Sequence, residues 1–316
     1  MPCFSPQSAH RLDNGDVVFT INRGNRKHIA SDLTLSCGQC LGCRIERSRQ
    51  WGVRCMHESQ MHTSNSFITL TYAPKHFNPS IQYRDFQLFL KRLRKRISPV
   101  LIRFYVGSEY SPINQLPHFH ALIFGYDFPD KLFFKTTKSG SKLYTSKLLD
   151  EVWNKGYASV GSCTFDSACY IAQYCTNKSR VSDIREVAHH YNADTGEVTI
   201  PYYQRTDPIT GEVFTVSPEA NKMSNRPGIG RSWFDKYRSD VFPHDYVVVN
   251  GKKATPPRYY TRILKDSDPD AYEDILYQRY LTNQKRGGNM SPAALEGSEV
   301  NLLRRLSLFQ RGLHLS

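Results

Sequence analysis

The chain has 316 residues, enough for one large domain or a domain with appendages, and 39% are hydrophobic, so a packed core is expected and wholesale disorder is excluded. Lysine and arginine number 42 against 29 acidic residues, a net charge of +13 that favours a polyanionic partner, nucleic acid being the usual one. No apolar run has the length of a secretion signal or a membrane span, so no membrane role is expected, and the eight cysteines read as thiols or metal ligands rather than disulfides.

Residues 1–36 are polar and irregular, with short strands expected around Val17–Ile21. Cys37-Gly38-Gln39-Cys40-Leu41-Gly42-Cys43 then places three thiols at equal spacing, which suits a tetrahedral structural zinc site. A fourth ligand is required: Cys3 is the first choice, with His10, Cys55 and His57 as alternatives. A helix is predicted over 44–62, its polar face dense in Arg44, Arg47, Arg49 and Arg54. Ser66–Tyr72 alternates as a strand does. A helix over 82–97 carries Phe86, Phe89, Leu90, Leu93 and Ile97 as its apolar stripe, with lysine and arginine crowding the remainder.

Leu101–Tyr110 and His118–Tyr126 read as an antiparallel hairpin joined through Ser111–Pro117, which brings Glu109 near the histidines. A short helix is expected over 146–154 and a strand over 156–165. Asp166 is expected to cap a helix over 167–179. Residues 181–222 change character, with two hairpin turns at Asp194–Val198 and Ile209–Val213. The basic glycine loop Arg226–Arg231 reads either as a contact for DNA phosphates or as a simple turn, and leads to a short helix over 232–238. Past Pro256-Pro257, two helices are predicted, over 268–283 and 292–311. The resulting division is 1–62 (cysteine run and helix), 63–180 (core), 181–250 (hairpin insertion and basic loop) and 251–316 (helical extension).

His118 and His120 flank one apolar residue on a strand, so both rings lie on one face while Phe119 turns to the core. Two imidazoles with the Glu109 carboxylate suit Mg2+ or Mn2+ and leave coordination positions for phosphate oxygens. Tyr170, Tyr174 and Lys178 share a helix face. A phenol of pKa about 10 is a poor nucleophile at neutral pH. It needs a metal-polarised phosphate and a local cation, and Lys178 can supply the cation. Cys163, Cys169 and Cys175 read as small buried residues. No Gly-x-x-x-x-Gly-Lys-Ser/Thr sequence occurs, so no ATPase motor is indicated.

Together Phe67–Tyr72, Pro117-His118-Phe119-His120 and Tyr170-x-x-x-Tyr174-x-x-x-Lys178 resemble, in order and separation, the HUH endonucleases that start rolling-circle replication. More closely, the chain looks like the replication initiators of microviruses in the gokushovirus branch, which the cysteine run and the Arg226-Pro227-Gly228-Ile229-Gly230 loop also resemble. The resemblance covers roughly residues 1–240. It implies an α+β fold: a central five-stranded antiparallel sheet flanked by helices, with a zinc-binding N-terminal segment and a helical C-terminal extension. It also implies two tyrosines acting in turn as nucleophiles on single-stranded origin DNA, with 5′-phosphotyrosine intermediates. Host helicase and DNA polymerase are the expected partners and the host bacterial cytoplasm the expected location. The alternatives are a relaxase or transposase using the same chemistry on a plasmid or mobile element, and a basic nucleic-acid-binding protein without cutting activity.

Overall fold

The structure is a computed structural model and describes residues 3–22, 24, 26–76, 78–111, 115–137, 140–174, 190–191, 198–199, 203–206, 210–286 and 291–308. The chain divides into two compact units, Met1–Arg49 with Thr261–Ser316, and Gln50–Tyr260.

In the first unit β1 (Gln7–Leu12) is the centre of a small antiparallel sheet, between β2 (Val17–Val18) and β3 (Ile29–Leu35). Helix α1 (Leu41–Ser59) starts inside the cysteine run. Two of these three strands lie outside the stretch where strands were expected, because their residues are mostly exposed and carry no strict alternation.

In the second unit β4 (Asn65–Tyr72) alternates half-buried and buried residues along its whole length. There follow α2 (Tyr83–Arg96), β5 (Arg103–Tyr110), β6 (Pro117–Phe124), β7 (Leu132–Thr136), β8 (Lys142–Thr145), α3 (Lys147–Trp153), β9 (Gly156–Ser162) and α4 (Phe165–Tyr174). Two short hairpins come next, β10 (His190–Tyr191) with β11 (Val198–Thr199) and β12 (Gln204–Thr206) with β13 (Val213–Thr215), as the two Gly-containing turns predicted. They lead to β14 (Asn221–Met223), α5 (Arg231–Val241) and the hairpin of β15 (Val247–Val249) and β16 (Lys252–Ala254). Helix α6 (Arg258–Ser267) spans the boundary between the units, and α7 (Pro269–Arg286) and α8 (Pro292–Leu308) belong to the first unit.

The main sheet has seven strands, not five, in the antiparallel order β14-β5-β6-β4-β9-β8-β7. The added strands had no readable pattern. All five residues of β7 are exposed, so nothing in it alternates. β14 is three residues long and exists because Asn221, Lys222 and Met223 pair with Gly107, Val106 and Tyr105. Helix α6 was also not predicted, and the helix over 167–179 begins two residues earlier than expected. Its cap is Thr164 rather than Asp166: Thr164 Oγ1 accepts from the Ser167 amide (3.1 Å), and the Ser167 hydroxyl accepts from the Thr164 amide (2.8 Å).

One sheet face packs on α2 and α3. Ile68, Leu70, Val106, Phe119, Ala121, Ile123 and Val160 meet Phe86, Phe89, Leu90, Leu93 and Trp153 there. Truncating a buried phenylalanine such as Phe86 in such a core costs about 3–5 kcal/mol. The other face packs Tyr105, Leu122, Phe124 and the half-buried Phe67 against Ala168, Ile171 and Ala172 of α4, with Cys55 and Ile229. His118, His120, Thr69 and Thr71 belong to this second face by alternation.

Several basic residues of the predicted polar faces hold the fold together. Arg92 donates to the last carbonyls of α3, Val152 (2.7 Å) and Trp153 (3.1 Å). Arg54 lies between the rings of Trp51 (4.0 Å) and Tyr259 (3.9 Å) and donates to the Ile229 carbonyl. The loop Arg226–Arg231 is a turn whose main chain is already engaged. Arg103 donates to the Arg226 and Pro227 carbonyls, and the Gly230 amide donates to the buried Glu58 (2.7 Å). Among the described residues no helix is long and apolar enough to cross a membrane.

Candidate active site

Register builds the site. Glu109 of β5 lies opposite His118 of β6, and His120 lies opposite Gly107, so the hairpin does bring the carboxylate to the histidines. Thr71 and Thr69 of β4 lie opposite His118 and His120 on the other side. Each threonine hydroxyl bonds one ring at Nδ1, Thr69 to His120 at 3.0 Å and Thr71 to His118 at 3.1 Å. Nε2 of each ring is thereby left for the site, and that of His120 is 2.6 Å from Glu109 Oε1. Burial and the neighbouring His120 hold the His118 imidazole below its ordinary pKa against the pull of Glu109, so it is a neutral donor at neutral pH. Two imidazoles turned by threonine bonds and a carboxylate on one sheet face are donors of the kind Mg2+ or Mn2+ takes; Glu109 is within hydrogen-bond reach of His120, and the His118 ring centroid is 6.4 Å from that of His120.

The Tyr170 ring stands edge-on to His120, centroids 5.2 Å apart, and edge-on to Phe67 at 6.5 Å. Phe67 itself stacks on His120 at 5.8 Å. Tyr170 is 39% exposed. Its position depends on how closely α4 approaches the sheet. Two glycines permit that approach: a Cβ on Gly107 would meet Ile171 Cγ2 at 2.9 Å, and one on Gly52 would meet Cys169 Sγ at 2.5 Å. Asn221 Nδ2 donates to the Ile171 carbonyl (3.3 Å) and the Tyr105 hydroxyl (2.6 Å), tying β14, β5 and α4 together one residue from Tyr170. The helix extends through Tyr174, one turn on; Cys175 and Lys178 lie outside the described residues.

The four thiols of Cys3, Cys37, Cys40 and Cys43 gather within 4.8 Å of one another and could hold a metal such as zinc. Amides point at the sulfurs, from Cys37 to Cys3 (3.2 Å), from Cys40 to Cys37 (3.2 Å) and from Phe4 to Cys40 (3.3 Å). Burial opposes ionisation of Cys37, but the Cys40 and Gln39 amides together with the Cys3 and Cys40 thiols outweigh it and pull that thiol down to about 7. Burial pushes Cys43 up to about 12. Of the alternatives for the fourth ligand, His10 pairs with Asp32 (2.7 Å), Cys55 is buried in the sheet core and His57 bonds Tyr260 (2.9 Å). Cys163 and Cys169 are half-buried rather than fully buried.

The model of the family "Replication-associated protein ORF2/G2P" matches residues 65–179, a span that opens with β4 and takes in His118, His120, Tyr170, Tyr174 and Lys178. The replication-associated protein VP4 of Bdellovibrio phage phiMH2K is 30% identical over 281 residues, covering 86% of this chain and 80% of that protein. The replication-associated protein ORF2 of Spiroplasma virus 4 is 25% identical over 308 residues, covering 90% and 86% respectively.

The chain belongs to the phage replication-associated proteins.

No solved structure matches it. Membership bears out the likeness to microvirus rolling-circle initiators. Within this replication-associated protein, sequence reasoning assigned no role to Thr69, Thr71, Gly107, Gly52 or Asn221. Thr69 and Thr71 alternate visibly in the β4 motif, which is a signal for one shared face. Gly107 and Asn221 carry no signal until β5, β14 and α4 are brought together.

Proposed function

We propose that the chain nicks and rejoins single-stranded origin DNA to initiate and terminate rolling-circle replication of a phage genome, through a 5′-phosphotyrosine. The observation that supports this most is the Tyr170 ring beside His120, on the sheet face that also carries His118 and Glu109. Nucleophile and phosphate-holding groups share that face.

His118, His120 and Glu109 are the residues that would hold Mg2+ or Mn2+, with Thr69 and Thr71 keeping the two rings turned. When bound, such an ion supplies the Lewis-acid polarisation that lets a phenol attack a phosphodiester at neutral pH. The Tyr170 oxygen gives up its proton and bonds to phosphorus. The bond from phosphorus to the 3′ oxygen breaks, and that oxygen takes up a proton. The 5′ end stays on the tyrosine, and the free 3′ hydroxyl primes synthesis. One ester bond is exchanged for another, so rejoining needs no ATP. Tyr174, one helical turn on, is the other nucleophile of the pair; the two act in turn, one at initiation and the other on the regenerated origin, and Lys178 steadies the phosphate. Unwinding and synthesis fall to the host helicase and DNA polymerase in the bacterial cytoplasm.

The test is a covalent adduct on single-stranded fragments tiling the phage genome, trapped on a denaturing gel and located by mass spectrometry. Wild type should form it with Mn2+ and lose it in EDTA. Tyr170→Phe and Tyr174→Phe should each still cut once but fail to close circles, and the double variant should form no adduct. An adduct on another tyrosine overturns the assignment. A wild-type protein that binds the fragments and never forms an adduct is the non-catalytic nucleic-acid-binding protein instead.

A further inference from the structure

Four residues lie in one row across four adjacent strands: Glu109 opposite His118, His118 opposite Thr71, and Thr71 opposite Tyr157 of β9. Directly paired residues of an antiparallel ladder project to the same face, so Tyr157 shares the face of the histidines. Its neighbour Ala158 packs into the core of the opposite face, as alternation requires. Helix α4 covers the row of Tyr105, Leu122 and Phe67, and Tyr170 edges the row of His120. The row of His118 lies one step further along the strands. There Tyr157 is 69% exposed, beside the half-buried Thr69, Thr71 and Ser159. A ring so exposed contributes little to the core, and its neighbours offer hydroxyls rather than an apolar surround. Tyr157 stands two strand spacings from His118, about 9.6 Å. That is too far to share a phosphate with His118 and near enough to meet an adjoining nucleotide.

We propose that Tyr157 is a stacking platform for a base of the single strand next to the scissile phosphate. The inference rests on the reading that the histidine face receives single-stranded DNA, and it adds the residue that grips the strand there. The net charge of +13 suits that occupant over an apolar protein partner. Stacking on a phenol tolerates any base, so Tyr157 contributes grip and placement, and the origin sequence is read elsewhere.

Fluorescence anisotropy would compare wild type, Tyr157→Ala and Tyr157→Trp on labelled oligo(dT) of about 16 nucleotides and on an abasic oligomer of equal length, at one salt concentration. Tyr157→Ala should bind oligo(dT) about fivefold or more weakly, and Tyr157→Trp should bind as well as wild type or better. On the abasic oligomer all three should bind equally. Equal binding of oligo(dT) by wild type and Tyr157→Ala overturns the proposal, as does an equal loss on the abasic oligomer. A change of oligomeric state in Tyr157→Ala with unchanged DNA binding also overturns it and makes a second copy the occupant. Adduct formation, run in parallel, keeps the two readings apart. Wild-type adduct with unaffected Tyr157→Ala binding sinks the platform alone. Weakened Tyr157→Ala binding without any wild-type adduct sinks the nicking reaction and leaves the platform standing.

Discussion

His120 is held at both ring nitrogens, by the Thr69 hydroxyl at Nδ1 and by Glu109 at Nε2. A neutral imidazole donates from one nitrogen and accepts at the other, so the threonine bond decides which way the ring turns. Thr69→Val keeps the shape of the side chain and removes that bond. It should lower adduct formation by about 10–100-fold while leaving the melting temperature nearly unchanged, and Thr69→Ser should restore most of the rate. Wild-type rates in Thr69→Val would show that the ring needs no such support. The shared face of His118 and His120 was legible in the sequence because the strand period places it, and Glu109 followed from the hairpin that pairs it with His118. The threonines were visible but not interpretable, because their role depends on register between β4 and β6.

Helix α4 owes its height above the sheet to glycines on two other elements. Gly107→Ala would put a methyl group 2.9 Å from Ile171 Cγ2 and 3.1 Å from the Ile171 carbonyl, so α4 must lift. Overpacking of this kind costs about 1–3 kcal/mol. The expected outcome is a lowered melting temperature together with a larger loss of adduct than the stability change explains, because Tyr170 moves with the helix. Helix α1 carries a pH dependence of its own. His57 is buried against Trp233 (3.4 Å between ring centroids) and bonded to Tyr260, and burial drives its pKa down to about 3. Its folded value lies below its unfolded value of about 6.5, so the unfolded chain binds the extra proton. The stability this contributes is complete above pH 6.5 and is lost as pH falls toward 3. Glu58, whose folded value is also lowered, adds to the loss only below its ordinary carboxylate range. Denaturant unfolding of wild type should therefore weaken between about pH 6.5 and 4.5. His57→Phe should be less stable at neutral pH, since Tyr260 loses its partner, but should show a shallower slope across that window. An unchanged slope would place the titration on other groups, His118 first among them.

At the scale of the whole chain, the cysteine quartet ties Cys3 to the start of α1. Metal binding by such a cluster couples directly to folding. Purified protein should carry about one zinc, and Cys40→Ser should lose it along with thermal stability; zinc-free wild type of unchanged stability would discard the site. The class of the protein, its basic charge, the paired histidines, the tyrosine helix and the thiol run were all determined by local sequence, because each is a matter of composition or of spacing within one element. Tertiary structure decided the rest. It gathered Cys3 with a run more than thirty residues away, a distance across which spacing carries no information. It added β7, β8 and β14 to the sheet, strands that exist through pairing rather than through any pattern of their own. It set Arg54 and Arg92 against the carbonyls of the buried Ile229 and Val152, and Arg103 against the Pro227 carbonyl. It also set Tyr157 in the row of His118. Strand register determines that placement, and register is settled only when the strands meet.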